Sequence, residues 1–207
     1  MPDRPARGRF LLALIDGGGT VPPALGLATE LVRRGHQVRV LSDPTVQPHA
    51  EAVGCQFSPW REAPHFDSRA AQTAVIAAAE GRNPYRAVQA LRAYLGKAMT
   101  RRFASDVVRS VAEFPVDVVL SDPLPGMLLG AQASGLPTAA LLANVYFRPT
   151  PGLPLMGTGW SPGRGAVTRT RDRLAPVVVT SLLRPTLPRI NEAAAFHGQA
   201  RVLDQHG

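Results

Sequence analysis

The chain has 207 residues, the length of one large domain, and its 45% hydrophobic and 18% charged residues exclude an intrinsically disordered protein. Its single cysteine excludes an internal disulfide, and no histidine and cysteine residues have the spacing of a zinc site, so no metal is expected. The net charge of +8 comes from arginines scattered among few aromatic residues, a pattern that argues against nucleic-acid binding.

The first apolar segment bears on where the protein works. Residues 10–15 are too few for the core of a signal peptide or for a membrane helix, which needs about 20 apolar residues. We therefore expect a cytoplasmic protein without a membrane span. The 19 glycines and 20 prolines exceed the usual content and predict long, shaped loops.

The N-terminal part of the chain alternates predicted strands and helices. An apolar run over residues 9–15 stops at a glycine-rich turn, which predicts a strand buried on both faces. Apolar residues at helical spacing predict a helix over 20–35, and an alternating segment predicts a second strand over 37–42. A helix over 44–53 and a short strand over 55–58 complete this part.

The rest of the chain repeats the alternation. The same signals predict helices over residues 68–80 and 84–114, a strand over 116–121, a helix over 125–134 and a strand over 137–142. The second of these helices is expected to kink near Gly96. A loop over 144–165 then leads into a helical stretch divided by three prolines, Pro176, Pro185 and Pro188. This order predicts an α/β fold with a Rossmann-like, doubly wound parallel sheet.

The glycine turn, residues 16–19, is the most informative short motif. Its three glycines let a ligand approach backbone N–H groups at a helix N-terminus. Two of them have the spacing of a dinucleotide-binding fingerprint, with Asp43 placed as the ribose-binding acid, but Pro22 stands where the third glycine is needed. A free-standing nucleotide-binding domain is therefore the weakest alternative. Thr20, directly after the turn, is predicted to cap the following helix.

Four segments together carry a family resemblance. VPPALGLA (21–28) follows the glycine turn, and ELVRRGHQVRVL (30–41) leads through the second strand. Later, DVVLSD (117–122) precedes GAQASGLPT (130–138). These segments resemble the N-terminal, acceptor-binding half of GT-B-fold glycosyltransferases of the UDP-glycosyltransferase type, including bacterial enzymes that glycosylate natural products. The resemblance implies one acceptor-binding domain over residues 1–207 and a C-terminal nucleotide-sugar-binding domain, with its His-Cys-Gly motif, that is absent from this chain.

The resemblance also implies a catalytic pair. In the family, a histidine after the glycine turn takes the proton from the acceptor hydroxyl, and an aspartate at the end of the fourth strand orients it. Asp122 matches that aspartate, but Thr20 occupies the histidine position, and a threonine hydroxyl is no general base near neutral pH. We therefore expect Asp122 to act as the base, with two other routes open: Asp16 or His65 substitutes, or the acceptor is acidic enough to need little help. Asp122 could instead cap the next helix.

Acceptor contacts are likewise implied by the resemblance, in which the loops after the third and fifth strands shape the acceptor pocket. The candidate contacts are the turn glycines and the large apolar side chains of these loops: Gly18, Gly19, Trp60, Phe66, Phe147, Met156 and Trp160. The alternative role of the apolar side chains is packing in the core. As a group they indicate a bulky, partly apolar acceptor.

The expected function is that of an inverting glycosyltransferase of hexosyltransferase type in natural-product and antibiotic biosynthesis. It moves a sugar from a nucleotide-sugar donor, which is a co-substrate and not a cofactor, to a small lipophilic acceptor, and it is inactive without the C-terminal donor half. The main alternative is a catalytically silent binding or activator module that kept the fold and lost the base. Some of the surplus positive charge in residues 61–110 and 161–207 is expected to face the donor half or the negatively charged nucleotide-sugar. The sequence does not decide between a monomer and a homodimer.

Overall fold

A computed structural model of the chain describes residues 7–17, 19–68, 70–71, 73, 99–143, 150–154 and 160–202. The strands are β1 (Arg9–Ala13), β2 (Gln37–Ser42), β3 (Gln56–Pro59), β4 (Val118–Ser121) and β5 (Thr138–Ala140). The helices are α1 (Val21–Arg33), α2 (Gln47–Ala52), α3 (Met99–Glu113), α4 (Pro125–Ala133), α5 (Ala166–Leu183) and α6 (Leu187–Phe196). Short 3-10 turns over Pro44–Val46 and Arg184–Thr186 precede α2 and α6.

The strands form one parallel sheet in the order β3-β2-β1-β4-β5. In the register, Leu12 of β1 lies between Val40 of β2 and Leu120 of β4. This is the predicted Rossmann-like, doubly wound α/β sheet. From β1 the chain builds outward through β2 and β3 on one side and then crosses to β4 and β5 on the other. The switch point therefore lies at the carboxyl ends of β1 and β4, where ligands bind in folds of this kind.

Both faces of the sheet are covered at its central strand β1, as the continuous apolar run of that strand predicts, whereas the edge strand β5 is exposed. Leu12 belongs to a core cluster with residues of α1, and Leu11 belongs to a second cluster with residues of α3 and α4. The first cluster also includes Val21, Ala24, Leu25, Ala28, Val38, Val40, Val46, Ala50 and Cys55. The second also includes Ala13, Leu41, Trp60, Phe103, Val107, Val119, Met127 and Ala131.

Helices α3 and α4 approach each other closely because α4 presents glycines to α3. A Cβ at Gly126 would lie 2.5 Å from the carbonyl oxygen of Thr100, and one at Gly130 would lie 2.7 Å from that of Ala104. No larger side chain fits at either position without moving the α3 backbone. Ile190 of α6 packs into the same region beside Ala104.

Helix α5 differs from its prediction. The helix continues through Pro176, and the chain leaves the α-helix only at the 3-10 turn Arg184–Thr186. A proline inside a helix leaves the carbonyl four residues earlier without its N–H partner. Here that carbonyl belongs to Asp172, and it accepts a hydrogen bond from the backbone N–H of Gly152 at 3.2 Å. A contact from a distant loop therefore satisfies the group that Pro176 leaves free.

The other predicted helices are matched in part. Helix α3 covers the last part of the helix predicted over 84–114, and the expected kink near Gly96 lies outside the described residues. Most of the helix predicted over 68–80 lies outside them as well. Helix α1 ends before Gly35, whose φ of +90° suits glycine and closes the helix as predicted.

Candidate active site

Three buried carboxylates lie at the carboxyl edge of the sheet, beside the switch point. Asp16 follows β1, Asp43 follows β2 and Asp122 follows β4, and their exposed fractions are only 3%, 1% and 4%. Since neighbouring parallel strands end at the same edge, side chains that follow them in sequence come together in space. The sequence predicted Asp16 and Asp122 as members of this site but gave Asp43 a different role.

Hydrogen bonds hold these carboxylates against the backbone of the glycine turn. Asp122 Oδ2 accepts the backbone N–H of Ile15 at 3.0 Å, and Asp43 Oδ2 accepts that of Asp16 at 2.7 Å. The hydroxyl of Thr45 donates to Asp16 Oδ2 at 2.8 Å. Each charge therefore has a polar partner despite its burial, as a buried carboxylate requires.

The electrostatics single out Asp122. Burial is the main cause that raises the pKa of Asp122 to about 6; the N–H of Ile15 opposes this increase, and the negative charge of Asp43 adds to it. Burial also raises the pKa of Asp43, against the hydrogen bonds from Phe66 and Asp16. Asp122 is thus a carboxyl group whose pKa lies close to neutral pH, the range in which a general base is effective.

Thr20 lies at the N-cap of α1 as predicted, but neither its side chain nor that of Asp122, for which capping was the alternative role, caps a helix. Leu124 is the N-cap residue of α4, and no side chain caps that helix. Thr20 is the N-cap residue of α1, but its backbone is already helical, with φ −84° and ψ −30°, and its side chain makes no capping bond. Its hydroxyl instead donates to the carbonyl oxygen of Ile15 at 3.3 Å. Thr20 and Asp122 therefore bind the same residue, Ile15, at its C=O and its N–H.

His65, the other substitute base, is engaged within its own loop. Its Nδ1 lies 2.9 Å from the carbonyl oxygen of Ala63, and its Nε2 lies 3.2 Å from a carboxylate oxygen of Asp67. These contacts do not join the imidazole to the three carboxylates. Asp122 consequently stays the candidate base that the geometry and the pKa favour.

The candidate acceptor residues fall in several environments. Trp60 is only 2% exposed and packs edge-to-face on Phe103, with ring centroids 4.9 Å apart, so it has the core role. Phe66 is partly buried, and its backbone N–H donates to Asp43 Oδ1 at 2.7 Å. Trp160 is 47% exposed, and the guanidinium of Arg171 lies 4.5 Å from its ring centroid.

Of the turn glycines, Gly19 lies at the surface, and a Cβ placed on it would meet no atom within 4 Å. There is therefore room for a ligand beside the glycine turn at this point. Gly18, Phe147 and Met156 lie outside the described residues.

Asp43 is a site residue for which the sequence analysis considered only the role of a ribose-binding acid. Both of its oxygens accept backbone N–H groups, from Asp16 and Phe66, and the side chain is only 1% exposed, so a ribose hydroxyl does not reach the carboxylate in this structure. Asp43 directly follows β2, the strand beside β1, and this position in the sequence indicated that it belongs to the site. The partner at Phe66 is 23 residues away, and no local pattern predicts it.

The described residues contain neither a cluster of metal ligands nor a membrane-spanning helix. Among them, no group of three or more histidine, cysteine, aspartate or glutamate side chains is arranged to hold a metal ion. In the same part of the chain, no helix has both the length and the apolar composition that crossing a membrane requires.

Comparison with known proteins gives one curated relative and several solved structures. No family profile matches the sequence. The 4'-demethylrebeccamycin synthase of Lentzea aerocolonigenes is 24% identical over 200 residues, which cover 90% of this chain and 47% of that protein. The chain thus spans about half the length of the curated relative it matches.

Three solved glycosyltransferase structures share the fold. The glycosyltransferase of kitacinnamycin superposes with a TM-score of 0.59 at 19% identity, over 96% of this chain and 42% of that one. The spinosyn forosaminyltransferase SpnP gives 0.54 at 16% identity, over 97% and 44%. VinC, solved in complex with dTDP, gives 0.51 at 16% identity, over 96% and 46%. The chain therefore shares its fold with a part, less than half in length, of each of these three glycosyltransferases, and this confirms the fold that the resemblance to GT-B glycosyltransferases implied.

Proposed function

We propose that the chain is the acceptor-binding half of an inverting glycosyltransferase that moves a sugar from a nucleotide-sugar donor to a small lipophilic natural product. The similarity to the rebeccamycin enzyme and the shared fold support the reaction class. The observation that carries the proposal to a site is Asp122, a buried carboxyl with a pKa of about 6 at the switch point of the sheet.

In this mechanism Asp122 replaces the missing histidine as general base. The acceptor hydroxyl passes its proton to the Asp122 carboxylate, its oxygen attacks the anomeric carbon of the sugar, and the bond to the nucleotide diphosphate breaks. A pKa near 6 makes this carboxylate about a hundredfold more basic than an ordinary aspartate, while it stays largely ionised at neutral pH. The open surface at Gly19 leaves room for the acceptor to approach the glycine turn.

The donor side of the reaction is proposed to come from a second, nucleotide-sugar-binding half. We propose that the chain alone binds the acceptor but transfers no sugar, and that it works in the cytoplasm. No cofactor takes part in this scheme, because proton transfer and displacement at the anomeric carbon need none.

The test has a binding arm and a transfer arm. Calorimetry of the chain with a panel of lipophilic aglycones measures acceptor binding, and binding of at least one aglycone is expected. Transfer from dTDP- and UDP-sugars is then measured for the chain alone and together with the donor half of the rebeccamycin relative. Transfer is expected only in the combination, and Asp122→Asn is expected to slow it by about 10²- to 10⁴-fold. Unchanged turnover in that variant would show that Asp122 is not the base.

A second candidate function is a catalytically silent binding or activator module. The observation that favours it is Thr20, whose hydroxyl occupies the position of the family's base and binds the carbonyl of Ile15. Such a module binds aglycones and transfers no sugar in any combination. Transfer by the wild-type chain together with a donor half separates the two candidates, because only the enzyme shows it. Thr20→His, which returns an imidazole to the histidine position of the resemblance, is expected to increase that transfer in an enzyme and to create it in a silent module.

A further inference from the structure

Asp43 belongs to neither the catalytic nor the acceptor-binding residues considered so far, yet it is the most deeply buried of the three carboxylates, at 1% exposure. Its Oδ2 accepts the N–H of Asp16 in the glycine turn, and its Oδ1 accepts the N–H of Phe66, each at 2.7 Å. Distances this short are typical of hydrogen bonds to a charged acceptor. One side chain thus joins two separate segments of backbone.

Local capping does not account for this side chain. Asp43 stands at the N-cap of the 3-10 turn Pro44–Val46, where an aspartate commonly binds the backbone of the following turn. Here no capping bond is made, and both oxygens are used by distant partners. The carboxylate therefore serves the link between segments.

Among the contacts that hold residues 60–68, which we call the β3 loop, two are anchors in which a buried carboxylate accepts backbone N–H groups of the loop. At the start of the loop, Asp106 Oδ2 on α3 accepts the N–H groups of Arg61, Glu62 and Ala63, each at 2.9 Å. Further along, Phe66 is held by Asp43. The first anchor fixes the loop to a helix, and the second fixes it to the edge of the sheet where Asp16 and Asp122 lie.

We propose that Asp43 is a positioning residue, which clamps the β3 loop to the glycine turn and thereby sets the distance between the acceptor-binding loop and the base. The effect of this clamp on catalysis rests on the proposed function, whereas the clamp itself rests on the two hydrogen bonds of Asp43. A carboxylate is required because it accepts one N–H at each oxygen. Asparagine has one acceptor oxygen, and its NH₂ group would face the second N–H.

The test begins with the wild-type chain. Hydrogen exchange should show the amides of Phe66 and Asp16 protected, and rapid exchange of the Phe66 amide in folded protein would overturn the clamp without any variant. In Asp43→Asn, at least one of the two amides should exchange about tenfold faster or more. Ser42→Ala is the matched control, because the neighbouring hydroxyl is fully buried and has no hydrogen-bond partner in the described part of the chain. This variant should leave both amides protected.

The functional readout separates positioning from stability. Asp43→Asn is expected to weaken aglycone binding to the chain about tenfold or more, because a displaced loop misplaces its contacts, while Ser42→Ala binds as the wild type does. Faster amide exchange with unchanged aglycone affinity would overturn the positioning role. If the wild-type chain binds no aglycone, the proposed function is refuted, and so is the role of Asp43 in placing the acceptor. Amide exchange then still decides whether Asp43 clamps the β3 loop to the glycine turn.

Discussion

Replacing Asp122 with asparagine should make the fold more stable and the proposed sugar transfer slower. Burial raises the pKa of Asp122 from 3.8 to about 6, so the folded state holds this proton more tightly than the unfolded chain does. The stabilisation from this group is therefore complete below about pH 4 and is lost as the pH rises through about 6. The difference between the two pKa values corresponds to about 3 kcal/mol at neutral pH.

Asparagine at this position carries no charge, and its carbonyl oxygen can still accept the N–H of Ile15, the partner of Asp122 at 3.0 Å. The free energy of unfolding of Asp122→Asn, relative to the wild type, should increase by up to about 3 kcal/mol between pH 4 and pH 7. In a domain of this size that corresponds to a melting temperature higher by about 6 to 12 °C.

Urea unfolding of both proteins at pH 4.5 and pH 7.5 measures the effect. Ser121→Ala is the control, because it changes the adjacent residue, a fully buried hydroxyl that does not titrate. Its stability difference from the wild type should be the same at both pH values. If the advantage of Asp122→Asn were equally independent of pH, the buried charge would not destabilise the fold and the argument for a tuned base would fail.

Other substitutions test the packing. Gly130→Ala places a methyl group 2.7 Å from the Ala104 carbonyl oxygen and should lower the free energy of unfolding by about 1–3 kcal/mol. Gly26→Ala, in open space on α1, should raise it by about 0.4–1 kcal/mol in the same urea titrations. Asp106→Ala leaves three backbone N–H groups of the β3 loop without an acceptor, so stability should fall by at least about 2 kcal/mol and proteolysis should cut this loop first. Trp60→Ala should cost about 3–5 kcal/mol, and Trp60→Phe should keep aglycone affinity unchanged if the indole only packs the core.

The architecture was predictable because it follows from local patterns. A continuous apolar run ending in glycines has few solutions other than a doubly buried strand, and strands that alternate with helices form a parallel sheet. The path of α5 was not predictable in the same way. Helix α5 can contain Pro176 because the N–H of Gly152 donates to the carbonyl oxygen of Asp172, the group that the proline leaves without a partner. That partner comes from a loop with no sequence signal for the contact.

The same distinction explains the site. Asp122 and Asp16 could be placed because each directly follows a strand in the sequence. The chemical state of Asp122 could not, since its pKa depends on burial and on the charge of Asp43. Thr20 was misjudged for a related reason: a helical backbone at the N-cap leaves its hydroxyl free to bind Ile15, and the conformation of that residue is set by the turn before it.

The buried carboxylates indicate function because burial works against the charges of Asp43 and Asp122. Each has a backbone or hydroxyl partner, so the fold holds them in place, but burial still raises the pKa values of Asp43 and Asp122. With only a structural role, position 122 would be more stable with a neutral side chain, because such a side chain can accept the N–H of Ile15 without burying a charge. Buried charged groups with shifted pKa values are concentrated at sites where the chemistry requires them. If Asp122→Asn gains stability and loses transfer, and Asp43→Asn loses aglycone binding, then the charge that destabilises the edge is the charge that the reaction uses.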